Sequence, residues 1–257
     1  MALASNTIFT FDISEKVAWL TLHRPPLNIL TLEMVRELND VLRDRVDAGW
    51  LKALVVRATG KAFCAGVDVA DHLPERAEAM IREFGALCRQ LRALPMPTIA
   101  VVQGAALGGG TELAIACDMV VAAQSARFGQ PEIKLGVFPP VAAALFPSLI
   151  GYQQAARLLF SGETISAEEA ARLGLVTFAV ADGELAAAQE RLLAQLRGLS
   201  AAALAMTKRA LLIGARHGEK ALPEIEELYI HTLMATDDAR EGIQSFMEKR
   251  PPVWRDA

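Results

Sequence analysis

Apolar residues recur along this chain with two different periods, and the change of period divides it. Val17–Leu22 (VAWLTL) is a short apolar run, partly β-branched; Lys52–Arg57 (KALVVR), Pro97–Val102 (PTIAVV) and Asp118–Ala122 (DMVVA) are of the same type. Runs of this length, closed by turn formers such as Thr59-Gly60, predict strands. Between them the spacing is helical. Over Thr31–Val46, Leu32, Val35, Leu38, Leu42 and Val46 share one stripe, with Arg36, Asp40 and Arg43 off it. A second helix is predicted around Arg76–Leu91, and a short one opens at Gly108–Gly110 and runs to about Cys117. Strands alternating with helices predict a layered α/β core.

From about Gly151 the pattern becomes almost wholly helical. Ser166 and Glu169 have capping-box spacing, and Gly174 is a natural stop. Glu184–Leu196, Ser200–Ile213 and Ala221–Ala235 continue in an Ala- and Leu-rich style. Thr236-Asp237-Asp238 caps a last helix that carries Phe246 and Met247. The expected division is an α/β core over residues 1–190 and a helical region over 191–257 that covers the core or contacts another subunit. Two uncharged stretches, Ala93–Thr111 and Leu135–Ala156, reach the ~18 residues that suggest a membrane span. Pro95, Pro97 and Gln103 interrupt the first; Pro139, Pro140, Pro147 and Gln153-Gln154 interrupt the second. Both read as buried strands and site-lining loops, so no membrane span is expected. The segment Met1–Lys16 has no basic start and no long apolar run, and no signal peptide is expected.

Composition narrows the function. Of 257 residues, 53% are hydrophobic and 22% charged, which predicts a well-packed core and excludes general disorder. A net charge of −4 supplies no funnel for a polyanion, so a nucleic-acid partner is not expected. Cys64, Cys88 and Cys117 form no CxxC and no even set, which points to reduced thiols in a cytoplasmic protein. His23, His72, His217 and His231 are scattered without metal-ligand spacing, read as surface or capping residues, and no metal is expected.

Three segments could carry chemistry. Lys61–Asp68 (KAFCAGVD) follows a strand and a Thr-Gly turn, and its small residues either let a ligand approach the backbone or simply make a tight connection. Gln103–Leu113 (QGAALGGGTEL) follows a buried strand and opens a helix. It matches neither GxGxxG nor a P-loop, but three glycines at a helix start present N–H groups that suit a developing negative oxygen. Glu112 in that first turn fits either the helix dipole or a chemical role. Phe128–Gly136 (FGQPEIKLG) holds Glu132, which either pairs with Lys134 on the surface or faces a pocket. One helix–strand–loop passage separates Glu112 from Glu132. Two carboxylates brought to one pocket could hold one water and divide acid and base work.

The stretches HRPPLNIL, KAFCAGVD, GAALGGGTELAIACD through FGQPEIKLGV, TISAEEAARLGLV and DDAREGIQSFMEKR, in this order, resemble the enoyl-CoA hydratase/isomerase (crotonase) superfamily over essentially the whole chain. The resemblance implies a spiral of ββα repeats with a helical C-terminal trimerisation region, assembled as a homotrimer or a dimer of trimers (a homohexamer). It implies an acyl-CoA substrate, with no cofactor beyond that coenzyme A. By motif position, Val67 and Gly109 would supply the backbone N–H groups of an oxyanion hole, and Glu112 and Glu132 would be the catalytic carboxylates. Ala65, Gly66 and Asp68 would lie along the CoA path, and Phe246 and Lys249 would be further ligand contacts. The reaction implied is hydration of an α,β-unsaturated acyl-CoA in aromatic or fatty acid breakdown. A double-bond isomerase, or a non-catalytic CoA- or RNA-binding member, is the alternative. After Glu132 the chain departs from common hydratases: Val137–Pro147 (VFPPVAAALFP) is apolar, proline-stiffened and free of glycine. In this it is similar to the branch that hydrates cyclohexa-1,5-diene-1-carbonyl-CoA.

Overall fold

The computed structural model describes residues 8–46 and 50–256. Residues 1–7 of the segment read for a signal peptide lie outside that range. The chain opens with a hairpin of β1 (Phe9–Ser14) and β2 (Val17–Leu22), paired antiparallel from Phe9↔Leu22 to Ser14↔Val17. Its two-residue turn places Glu15 and Lys16 at φ 49° and 61°, the left-handed pair that matches the twist of a tight hairpin. Helix α1 (Leu32–Arg45) follows, with Thr31 Oγ1 accepting the Met34 N–H at its N-terminus. Strand β3 (Ala53–Ala58), helix α2 (Pro74–Ala93) and strand β4 (Thr98–Val102) come next. Then come β5 (Ala105–Leu107), α3 (Gly109–Ile115), β6 (Met119–Ala123) and β7 (Arg127–Gly129).

The second half begins with α4 (Pro140–Ile150), α5 (Tyr152–Ser161), β8 (Thr164–Ser166) and α6 (Ala167–Leu173). Strand β9 (Phe178–Val180) leads to α7 (Leu185–Arg197), which runs across residue 190. Helices α8 (Ala201–His217), α9 (Leu222–Glu227) and α10 (Asp237–Glu248) finish the chain. The segment expected as one helix over Ala221–Ala235 is α9 followed by a π-helical turn at Leu228–Leu233. Ser166 caps α6 through the Glu169 N–H, and Gly174 ends it in the left-handed conformation, as the spacing predicts.

A six-stranded sheet in the order β1-β2-β3-β4-β6-β9 is parallel except for the first hairpin, and a three-stranded sheet runs β5-β7-β8. Alternate side chains of the large sheet enter two cores. Leu20, Leu54, Val56, Ala100 and Val102 pack toward α1, α2 and α3. Val17, Val55, Ile99 and Val121 pack on the other face against Ala188, Leu193 and Leu196 of α7. Burial on both faces is what a parallel sheet requires.

The reading of Leu135–Ala156 as strand and loop is corrected: most of it is α4 and the start of α5. Pro139 and Pro140 stand at the cap and first position of α4, where a missing N–H costs nothing. Pro147 lies inside α4 on its exposed side, while Ala142 and Phe146, four residues apart, bury the other. Among the described residues no single helix is long and apolar enough to cross a membrane.

The chain is also tied across its length. Lys52, at the start of β3, is buried and donates through Nζ to Asp256 and to the Leu199 carbonyl. Asp256 also accepts Lys16 Nζ at 2.7 Å and the Ala201 N–H at 2.9 Å, while its own N–H donates to Asp238 at 3.1 Å. Burial alone would raise the Asp256 carboxyl. The bonds from Lys16, Lys52 and Ala201 outweigh it and hold the group below its usual range.

Candidate active site

The site is built where the loop after β3 meets the start of α3. Cys64 bridges to Ala106 of β5, with Cys64 N–H donating to Ala105 O (3.0 Å) and Leu107 N–H to Cys64 O (3.0 Å). Three residues on, Val67 forms a parallel bridge with Leu30: Leu30 N–H donates to Gly66 O (2.9 Å) and Asp68 N–H to Leu30 O (2.8 Å). In such a bridge the central residue turns its own N–H the other way. Gly109 is the first residue of α3, where a helix offers no internal acceptor. The Val67 and Gly109 N–H groups accordingly donate to no acceptor among the described residues. They are neighbours: a Cβ added at Gly109 would stand 3.4 Å from the Val67 nitrogen.

The glycines flanking Gly109 are spatial necessities. Gly108 holds φ 53°, and a Cβ there would sit 2.5 Å from Glu132 Oε1. At Gly110 a Cβ would lie 2.0 Å from the Cys64 carbonyl oxygen. The triple glycine thus lets the Cys64 loop press on one side of the helix start and the Glu132 carboxylate on the other.

Glu112 is buried in the first turn of α3, and its Oε1 accepts the Ala142 N–H at 2.8 Å. Ala142 is the third residue of α4, so Glu112 caps that helix from outside, in place of Pro139, which has no side chain able to do so. Burial pushes the Glu112 carboxyl up to about 7. The bonds from the α4 backbone oppose the rise, and the charge of Glu132 adds to it. Glu132 lies in the 3-10 turn Pro131–Leu135, and burial raises its carboxyl as well. No ion pair joins it to Lys134 among the described residues. Instead, with its amide nitrogen turned toward Glu132, fully buried Gln130 donates to the two carboxylate oxygens at 3.2 and 3.1 Å.

Both carboxylates line one cavity of about 480 Å³, together with Ala65, Gly66, Val67 and Gly109. Met80, Ile81 and Phe84 of α2 form one apolar wall, and Val137, Phe138 and Pro139 form another. Six of the residues singled out in the sequence therefore meet in one place. Three do not. Asp68 turns its carboxylate back to cap its own turn, accepting the Ala70 N–H at 3.1 Å. Phe246 and Lys249 are exposed on α10 and at its C-terminus, apart from this cavity. Burial pushes the Cys64 thiol up to about 12, and its sulfur donates to the Gly66 carbonyl, which favours the thiol over the thiolate.

The enoyl-CoA hydratase/isomerase family model matches residues 12–257. The chain belongs to this family. Among its relatives is the cyclohexa-1,5-dienecarbonyl-CoA hydratase of Thauera aromatica, 37% identical over 237 residues that cover 91% of each chain. The crotonyl-CoA hydratase of Syntrophomonas wolfei is 36% identical over 244 residues, covering 92% of this chain and 93% of that one. The fold is similar to the crystal structure of an enoyl-CoA hydratase of Mycobacterium smegmatis, with a TM-score of 0.91 at 30% identity over 97% of this chain and 99% of that one. The chain is an enzyme of the enoyl-CoA hydratase type.

Sequence reasoning missed two residues of this site. Gln130 stands two places before Glu132, and nothing in its type signals that it faces the carboxylate. His72, read as a surface or capping residue, lines the cavity. Its position four residues after the Ala-Gly-Val-Asp run was the available signal.

Proposed function

We propose that the protein adds water across the double bond of an α,β-unsaturated acyl-CoA. The observation that carries this reading is the meeting of two buried carboxylates and two free backbone N–H groups at one apolar cavity. The Val67 and Gly109 N–H groups hold the thioester oxygen and stabilise the enolate that develops on it. Glu112, as carboxylate, orients the water and takes its proton as oxygen bonds to the β-carbon. Glu132, as carboxylic acid, gives its proton to the α-carbon. A carboxyl held near 7 is half protonated at neutral pH, which suits a pair that begins each cycle with one proton between them.

The acyl group in this proposal is a cyclic conjugated dienoyl. The proline-stiffened wall at Val137–Pro140 suits a flat ring, and the relative from Thauera aromatica is named for such a substrate. The proposal extends to a ββα spiral over residues 1–190 and to a cytoplasmic homotrimer, or dimer of trimers, held through residues 191–257. Exposed Leu211, Tyr229, Ile230 and Met247 on the C-terminal helices support such an assembly. No cofactor beyond the CoA of the substrate takes part.

The test is turnover of crotonyl-CoA, a 3-enoyl-CoA and a cyclic dienoyl-CoA by the wild type and by the Glu112→Gln and Glu132→Gln variants. Each variant is expected to lose about 10²–10⁴-fold in hydration with little change in CoA affinity. An isomerase would show one severe and one mild loss and no hydrated product, and a binding protein no turnover at all.

A further inference from the structure

Besides the two carboxylates, His72 is the polar side chain among the described residues that line the cavity. It closes the 3-10 turn Val69–His72, and three bonds make that turn rigid. Asp68 accepts the Ala70 N–H at 3.1 Å, while buried Asp71 accepts the Leu32 N–H at the start of α1 (2.7 Å) and Arg76 Nε from α2 (2.6 Å). His72 Nδ1 lies 3.0 Å from the Asp68 carbonyl oxygen. A carbonyl only accepts, so Nδ1 carries the hydrogen and, in that tautomer, Nε2 carries the lone pair. Nε2 has no partner among the described residues. Val69, Ala77, Met80 and Ile81 line the same cavity, and none of them can donate.

An acceptor presented on a rigid turn in the lining of a largely apolar cavity discriminates between occupants. A hydrocarbon that displaces water from it leaves it unpaired, whereas a hydroxyl satisfies it. We propose that His72 is a specificity-determining residue whose Nε2 accepts a hydrogen bond from a hydroxyl substituent of the acyl group. This rests on the acyl-CoA reading of the cavity, and it narrows the proposed cyclic dienoyl group, selected in shape by Val137–Pro140, to one that also bears a hydroxyl.

The test is calorimetric titration of the full-length protein with saturated thioesters that have no β-hydroxyl to eliminate: cyclohexanecarbonyl-CoA and its 3- and 4-hydroxylated ring isomers. Turnover of crotonyl-CoA by the wild type is measured alongside. One hydroxylated isomer is expected to bind the wild type roughly 5–10-fold more tightly than the parent. His72→Leu should lose that preference while binding the parent at least as well, and His72→Gln, which keeps an acceptor, should retain part of it. A merely structural role for His72 would weaken both ligands equally. The proposal is overturned if every isomer has the same ratio to the parent in wild type and His72→Leu. If crotonyl-CoA is still hydrated in that case, the hydratase reading stands alone. If no thioester binds the wild type, the acyl-CoA reading fails and this proposal falls with it.

Discussion

Glu112 should cost the fold stability at the pH where the enzyme works, and Glu112→Gln should release that cost. The carboxyl is raised from 4.5 to about 7 in the fold, mainly by burial. Between those values the folded chain binds more protons than the unfolded one, so stability falls as pH rises from about 4.5 to about 7 and stays low above. A shift of that size corresponds to about 2–4 kcal/mol. Glutamine fills the same space and keeps an oxygen for the Ala142 N–H, so the α4 cap survives while the buried charge does not. The assay is urea unfolding of wild type and variant from pH 4.5 to 8.5. The two should be close at pH 4.5 and diverge until the variant is the more stable by about 1–3 kcal/mol at pH 8, with turnover nearly abolished. The kinetic counterpart is an acid limb in the wild-type pH–rate profile near 7, as protonation removes the base. A variant that is less stable than wild type at pH 8 would refute the reasoning, because it would show the ionised carboxylate to be a net gain to the fold.

Other expectations follow from neighbouring contacts. Gly108→Ala should push Glu132 aside, because the new methyl meets its Oε1 at 2.5 Å, and should strain the backbone at φ 53°; turnover should fall about 10²-fold or more, with a lowered melting temperature and native circular dichroism below it. Gln130→Leu removes the donor to both Glu132 oxygens, and the pH–rate profile should show the Glu132 limb displaced upward with kcat reduced and KM little changed. Asp256→Asn leaves the buried Lys52 ammonium without its counter-charge and should lower stability by about 3–5 kcal/mol, read as a fall in melting temperature. Adding Lys52→Met should recover most of that loss.

The long periodic segments were legible in the sequence. The stripe from Leu32 to Val46, the runs at Val17–Leu22 and Pro97–Val102, and the Ser166–Gly174 helix all stand where the pattern puts them. The short strands were not: β5, β7, β8 and β9 have three residues each, too few to express a period, and they exist because neighbouring backbone pairs with them. Strand β1 was legible and unread, since Phe9 and Phe11 are buried and alternate with less buried positions. Helix α4 was hidden by its prolines, which signal breaks unless one knows that two of them stand at a helix start and the third faces solvent. At the site, the residues alone left Glu112 and Glu132 open between structural and chemical roles; the family resemblance assigned them, and the cavity brings them together. The neighbours of those glutamates could not be read, since Ala142 serves through its backbone N–H, which any residue but proline provides.

Lys52 and Asp256 are 204 positions apart in sequence yet share one buried contact. During synthesis on the ribosome, β3 is made long before its counter-charge exists. Until residue 256 has emerged, the ammonium at the strand's start must stay hydrated, and the place where Leu199 and Ala201 converge on it cannot close. The contact that joins the start of β3 to the C-terminal segment can therefore form only after residue 256 has been made.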